Sequence, residues 1–132
     1  MSDILAIHMN GTSVVEYDRE KPLGEQQLTY LERMDSKMDL GVTLNEEFVI
    51  DPDPLQRAHF VASQLVQGLV AENEQLIAAT CAWLALRVID LKQVRVSDSD
   101  GTYTIDLVFD ENRINQVQVE LTVPSVSAKK AH

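Results

Sequence analysis

Cys81 is the single thiol of the chain, so any thiolate chemistry falls to it. It stands four residues after Ile77 and three before Leu84, in the most apolar stretch of the sequence. Burial in such surroundings raises a thiol's pKa and makes it inert, which favours a core cysteine over a nucleophile. His59 lies one turn from Leu55 and from Ala62, flanking another apolar stripe. It would activate Cys81 only if two helices packed antiparallel and brought imidazole and sulfur together. A boundary histidine with one backbone or water partner is the simpler expectation. His8 has no histidine or cysteine near it at zinc-ligand spacing, and His132 ends the chain.

Carboxylates are the other reactive groups in number. Glu46, Glu47, Asp51 and Asp53 cluster in one short segment and could hold a hard cation or form an acid–base pair. Asp53 already has a role as a helix cap, however, and Pro52 and Pro54 suit a stiff connector. Asp98-Ser99-Asp100-Gly101 resembles a calcium loop only in composition. Placing Gly101 at the invariant glycine position puts Val96 and Leu107 where the first and last carboxylates belong, so the segment reads as a turn. No glycine-rich phosphate loop, G-x-S-x-G elbow or CxxC pair occurs. The sequence implies no cofactor and no catalytic constellation.

The charge is uneven. The chain has 132 residues and a net charge of −10. Residues 1–53 hold twelve acids against four bases, a net of −8. Such a balance argues against direct binding to nucleic acid phosphates or anionic lipid, and it would attract a basic partner. Within this block Met34-Asp35 and Met38-Asp39 repeat at a helical offset, so the methionines share one face and the aspartates another. The acids Glu32, Asp35, Asp39, Glu46, Glu47 and Asp51 are the candidate docking residues.

These groups must be positioned by a small set of elements. Residues 4–9 and 12–17 are β-compatible runs around Asn10-Gly11, the pair that a two-residue hairpin with positive φ at both positions demands. From Glu25 the apolar period lengthens to three and four residues through Leu28, Leu31, Met34 and Met38, a helix ended by Gly41. Residues 42–50 fit one short strand or an ordered loop. Asp53-Pro54-Leu55-Gln56 is a strong helix start, with a cap, a proline at the first helical position and a glutamine placed to reach back. Its buried stripe is expected at Leu55, Ala58, Ala62, Leu65, Val66 and Leu69, with Gly68 as its stop. Asn73 would then cap a further helix, apolar nearly all round, reaching about Ile89; one helix over 54–89 is the alternative. Two-residue alternation returns in Val94 and Val96, then in Tyr103, Ile105, Leu107 and Phe109, then in Val117, Val119, Leu121 and Val123.

Strands, then helices, then strands specify an α+β fold. A mostly antiparallel sheet of about five strands, from an N-terminal hairpin and a C-terminal meander, carries about three helices on one face. The helix from Leu76 should lie nearest the sheet. Residues 1–124 would form one domain and 125–132 a flexible tail. The chain start lacks a secretory signal pattern, and no stretch is long and apolar enough to span a bilayer. A cytoplasmic protein follows, acting as monomer or homodimer.

Three functions remain in view. The first is an adaptor, accessory or regulatory subunit that binds another protein, probing it with the first helix and residues 42–53. The second is a small-molecule-binding domain or enzyme, with a pocket near His59 and Cys81. The third is an acidic mimic of nucleic acid.

Overall fold

The asparagine–glycine pair does what its conformational freedom allows. In the computed structural model, which describes residues 4–44, 47–110 and 113–120 (118–120 by backbone alone), Asn10 and Gly11 take φ of 52° and 84°. They join β1 (Ile4–Met9) to β2 (Thr12–Asp18) as an antiparallel pair, with a bulge where His8 faces Ser13. Asp100 and Gly101 repeat this geometry, at 52° and 86°, between β5 (Gln93–Ser99) and β6 (Thr102–Asp110). The segment that resembled a calcium loop is therefore a hairpin turn. The final strand, β7 (Arg113–Glu120), pairs antiparallel with β6.

The five strands form one sheet in the order β2-β1-β5-β6-β7. Its one parallel pair, β1 with β5, joins the hairpin to the meander. Alternation selects the core face: Leu5, Ile7, Val94, Val96, Ile105 and Leu107 are fully buried. On the other face stand polar groups such as Arg95, bonded to Gln93, and Asp106, bonded to Gln116. The architecture is α+β, with three helices over the apolar face.

The first helix, α1 (Glu25–Asp39), begins after Gly24, whose N–H donates to Gln27 Oε1 at 2.8 Å. Leu31 and Met38 are buried and Met34 packs beside them, but Leu28 is largely exposed. This departs from the expected stripe: Leu28 lies beside Glu25, Thr29 and Glu32 on the outer surface of α1 and not in the gap toward the third helix. After α1, residues expected to form at most one strand form two short antiparallel ones, β3 (Val42–Leu44) and β4 (Glu47–Val49).

At the start of α2 (Pro54–Ala71) the capping box is complete: Gln56 N–H donates to Asp53 Oδ1 at 2.7 Å, and Asp53 N–H donates to Gln56 Oε1 at 2.9 Å. Ala58, Val61, Ala62, Leu65 and Val66 are buried, while Leu55 stays partly exposed in the first turn. Gly68 does not end the helix. A Cβ there would lie 3.1 Å from Ile77 Cγ1, so its small size serves the close approach of the next helix. The left-handed stop is Glu72, at φ 56° and ψ 40°. Asn73 then caps α3 (Glu74–Arg87), accepting from Leu76 N–H. Two helices, not one, therefore cover 54–89, and Ile89 lies beyond the second.

Residues 80–85 of α3 are buried without interruption. The helix from Leu76 shares the sheet with its neighbour, since α3 touches β2 and α2 touches β6. No helix among the described residues is long and apolar enough to cross a membrane. Glu46 and the expected tail at 125–132, with His132, lie outside the described residues.

Candidate functional site

Cys81 is buried, and desolvation pushes its thiol up to about 12. Its ionisable neighbour is Tyr17 of β2, whose own pKa is raised, chiefly by burial and then by Cys81 and Asp18. His59 is elsewhere: its Nε2 is buried and makes no hydrogen bond, and desolvation lowers its pKa against a smaller opposing effect of Asp53. Thiol and imidazole are not joined by a hydrogen bond. A thiol held protonated at neutral pH is a poor nucleophile.

The candidate acids fall into two groups. Asp35 and Asp39 are bound within the protein. Trp83 Nε1–H donates to Asp35 Oδ1 at 2.7 Å, while Arg87 donates to Asp35 Oδ2 from Nε at 3.1 Å and from Nη2 at 2.6 Å. One carboxylate thus satisfies a buried indole and anchors the second half of α1 to α3. Asp39 accepts from Arg57 Nη1 at 2.7 Å, and Arg57 Nε donates to Pro52 O, which fixes the connector against α2. Glu32, Glu47 and Asp51 are exposed and carry no ion pair among the described residues. Asp53 is occupied by its cap. No group of three or more metal-ligating side chains converges among the described residues.

The β3–β4 hairpin supplies a feature that charge alone did not reveal. Val42 is buried, and Leu44 and Val49 pack on the core from the same face. Alternation sends Phe48 and Ile50 outward, where they are 59% and 76% exposed, and Leu40 just before β3 is 78% exposed. The Phe48 ring lies over Gly41, its Cζ only 2.3 Å from where a Cβ would sit. Gly41 also has φ of 128°, so the backbone favours glycine, and any side chain there would displace the exposed Phe48 ring. The inner face of the hairpin is committed to the core, while the outer face carries Phe48 opposite the exposed Thr43, with Ile50 beyond; Glu47 and Asp51 are their neighbours along the chain.

Two further residues escaped sequence reasoning. Arg19 donates through its guanidinium to the carbonyls of Ala85, Val88, Ile89 and Leu91. It closes the C-terminal end of α3, where carbonyls lack helical partners and a cation is favoured. Lys21, two residues on, lines a cavity between the first turns of α1 and α3. Neither placement has a local signal, since both depend on contacts across more than fifty residues.

No protein-family model, curated protein or solved structure matches the chain.

Proposed function

We propose that this protein acts by binding another protein through the outer face of the β3–β4 hairpin. The observation that carries the reading is the exposure of Phe48 and Ile50, together with Leu40, on a hairpin whose other face is already committed to the core. Large apolar side chains grouped on a surface and ringed by polar groups mark interaction sites. An aromatic anchor amid a polar rim is also the usual anatomy of an interface centre.

Charge selects the occupant. Glu47 and Asp51 flank the apolar side chains, Glu32 stands on α1, and residues 1–53 carry a net of −8. The complementary partner is a protein with an apolar groove bordered by Lys or Arg. Its attraction accelerates encounter more than it tightens the complex. A role as adaptor, accessory or regulatory subunit follows, with no reaction assigned to the chain. Cytoplasmic location belongs to the same proposal and is supported by a lone cysteine that has no partner for an internal disulfide.

A photo-crosslinking amino acid in place of Phe48, expressed in the source cells, tests this. The expected result is a discrete heterologous adduct that is absent when the probe replaces Thr104 on the polar sheet face. Neutralising Glu32, Glu47 and Asp51 should diminish that adduct. Equal labelling at both positions overturns the reading, as does an adduct formed only with a second copy of this chain.

A further inference from the structure

Between α1 and α3 lies a gap whose α3 wall is made of Gln75 and Leu76 and of three short side chains, Ala78, Ala79 and Ala82. The gap is a cavity of about 500 Å³, within the range of small-molecule sites. Leu31, Leu76 and Ala79 give it an apolar interior, and Tyr17 and Tyr30 contribute aromatic faces with hydroxyls. Among the described residues, its only charged lining residue is Lys21. In a protein with ten surplus negative charges, a cavity whose described lining carries only a positive charge stands apart from that background.

Hydrogen-bonding capacity points the same way. Gln27 and Asn73 also line the cavity, but their side-chain oxygens already accept from Gly24 N–H and Leu76 N–H. Their NH₂ groups remain as donors. Lys21 is held in its loop by a backbone bond to Asp18 O and by the proline after it, and it makes no ion pair among the described residues. Gln26 and Gln75, which also line it, can present either end of their amides, so the site offers donors and one cation, with no carboxylate among its described lining residues, over an apolar interior.

The geometry points to a binding site for a small monocarboxylic acid with an apolar body: we infer that the carboxylate meets Lys21 while the body lies along Leu31, Leu76 and Ala79. The site is separate from the β3–β4 hairpin and does not depend on the docking reading.

Three ligands with one tail and different heads test it: octanoate, octanol and octylammonium, each titrated into ¹⁵N-labelled protein at ~0.15 M salt, where long-range repulsion by the surface is screened to ~8 Å. The expected result is saturable shifts centred on Lys21, Tyr30 and Ala79, with octanoate binding about threefold to fivefold tighter than octylammonium, the scale of one partly exposed ion pair. Lys21→Gln should erase that preference without weakening octanol. Ala79→Leu should fill the cavity and abolish all three, with Trp83 fluorescence reporting that the variant is folded; if it is not, Lys21→Gln alone decides. Equal or tighter binding of octylammonium, shifts scattered over the surface, or no binding of octanoate overturns the assignment.

Discussion

A thiol becomes a nucleophile only after losing its proton, and the surroundings of Cys81 oppose that loss. With its sulfur buried and its pKa pushed up to about 12, native protein at pH 8 should react with iodoacetamide far more slowly than a free cysteine, and reach the ordinary rate only when unfolded in urea. Rapid native labelling would show that the sulfur is accessible and would reopen the enzymatic alternative. The neighbouring Trp83 makes a second residue-scale test possible. Its buried N–H depends on Asp35, so Asp35→Ala leaves an indole donor unsatisfied and also frees Arg87. A loss of roughly 1–3 kcal/mol is expected, mostly from the orphaned N–H, because a half-exposed ion pair contributes little. Asp35→Asn, which keeps an acceptor for the indole, should cost less. Urea titrations followed by the emission of this single tryptophan measure both variants, and equal stability of Asp35→Ala and the parent chain would refute the role given to the carboxylate.

Elements add constraints that single residues do not show. Gly41 both turns the chain out of α1 and leaves room for the Phe48 ring, so Gly41→Ala displaces that ring and puts a side chain at φ of 128°. The expected effect exceeds 1 kcal/mol, the usual scale of a forced positive φ plus overpacking. Loss of hydrogen-exchange protection should concentrate in β3 and β4 while the five-stranded sheet stays protected; uniform loss would show that the hairpin is not a separable unit. The same region marks the limit of what could be read from the sequence. Period-two runs and Asn-Gly disclosed β1, β2, β5, β6 and β7, because turn chemistry and alternation are local. The capping box at Asp53 and Gln56 and the cap at Asn73 are local too. Gly68 misled because glycine has two uses: it can stop a helix, or it can let another helix approach, and only the position of Ile77 decides. The candidate acids were legible as charge but not as geometry. Asp35 and Asp39 differ from Glu32 only in having Trp83, Arg87 and Arg57 opposite them, partners eighteen to fifty-two residues away in the chain.

At the scale of the whole molecule, acidity and burial oppose each other as pH falls. Protonating surface carboxylates relieves the self-repulsion of a chain with net charge −10, a gain that salt should mimic at neutral pH. His59 acts in the other direction. Burial lowers its folded pKa below the ordinary 6.5, so between the two values the unfolded chain binds more protons than the native one. Stability contributed by the neutral imidazole is therefore complete above about pH 6.5 and declines as pH drops through 6.5 toward the folded pKa, levelling off below it. Replacing His59 with Gln removes the titration while leaving the surface charge untouched. Denaturation measured from pH 7.5 down to pH 5 should then show the native chain losing more stability than His59→Gln over that interval, with the two curves parallel above pH 7. Because the carboxylates are common to both proteins, their contribution cancels in the difference, and what remains reports the desolvated imidazole at the edge of α2. Parallel curves over the whole range would mean that His59 gains a proton in the folded state as readily as in the unfolded one, and that its buried Nε2 is not desolvated in solution.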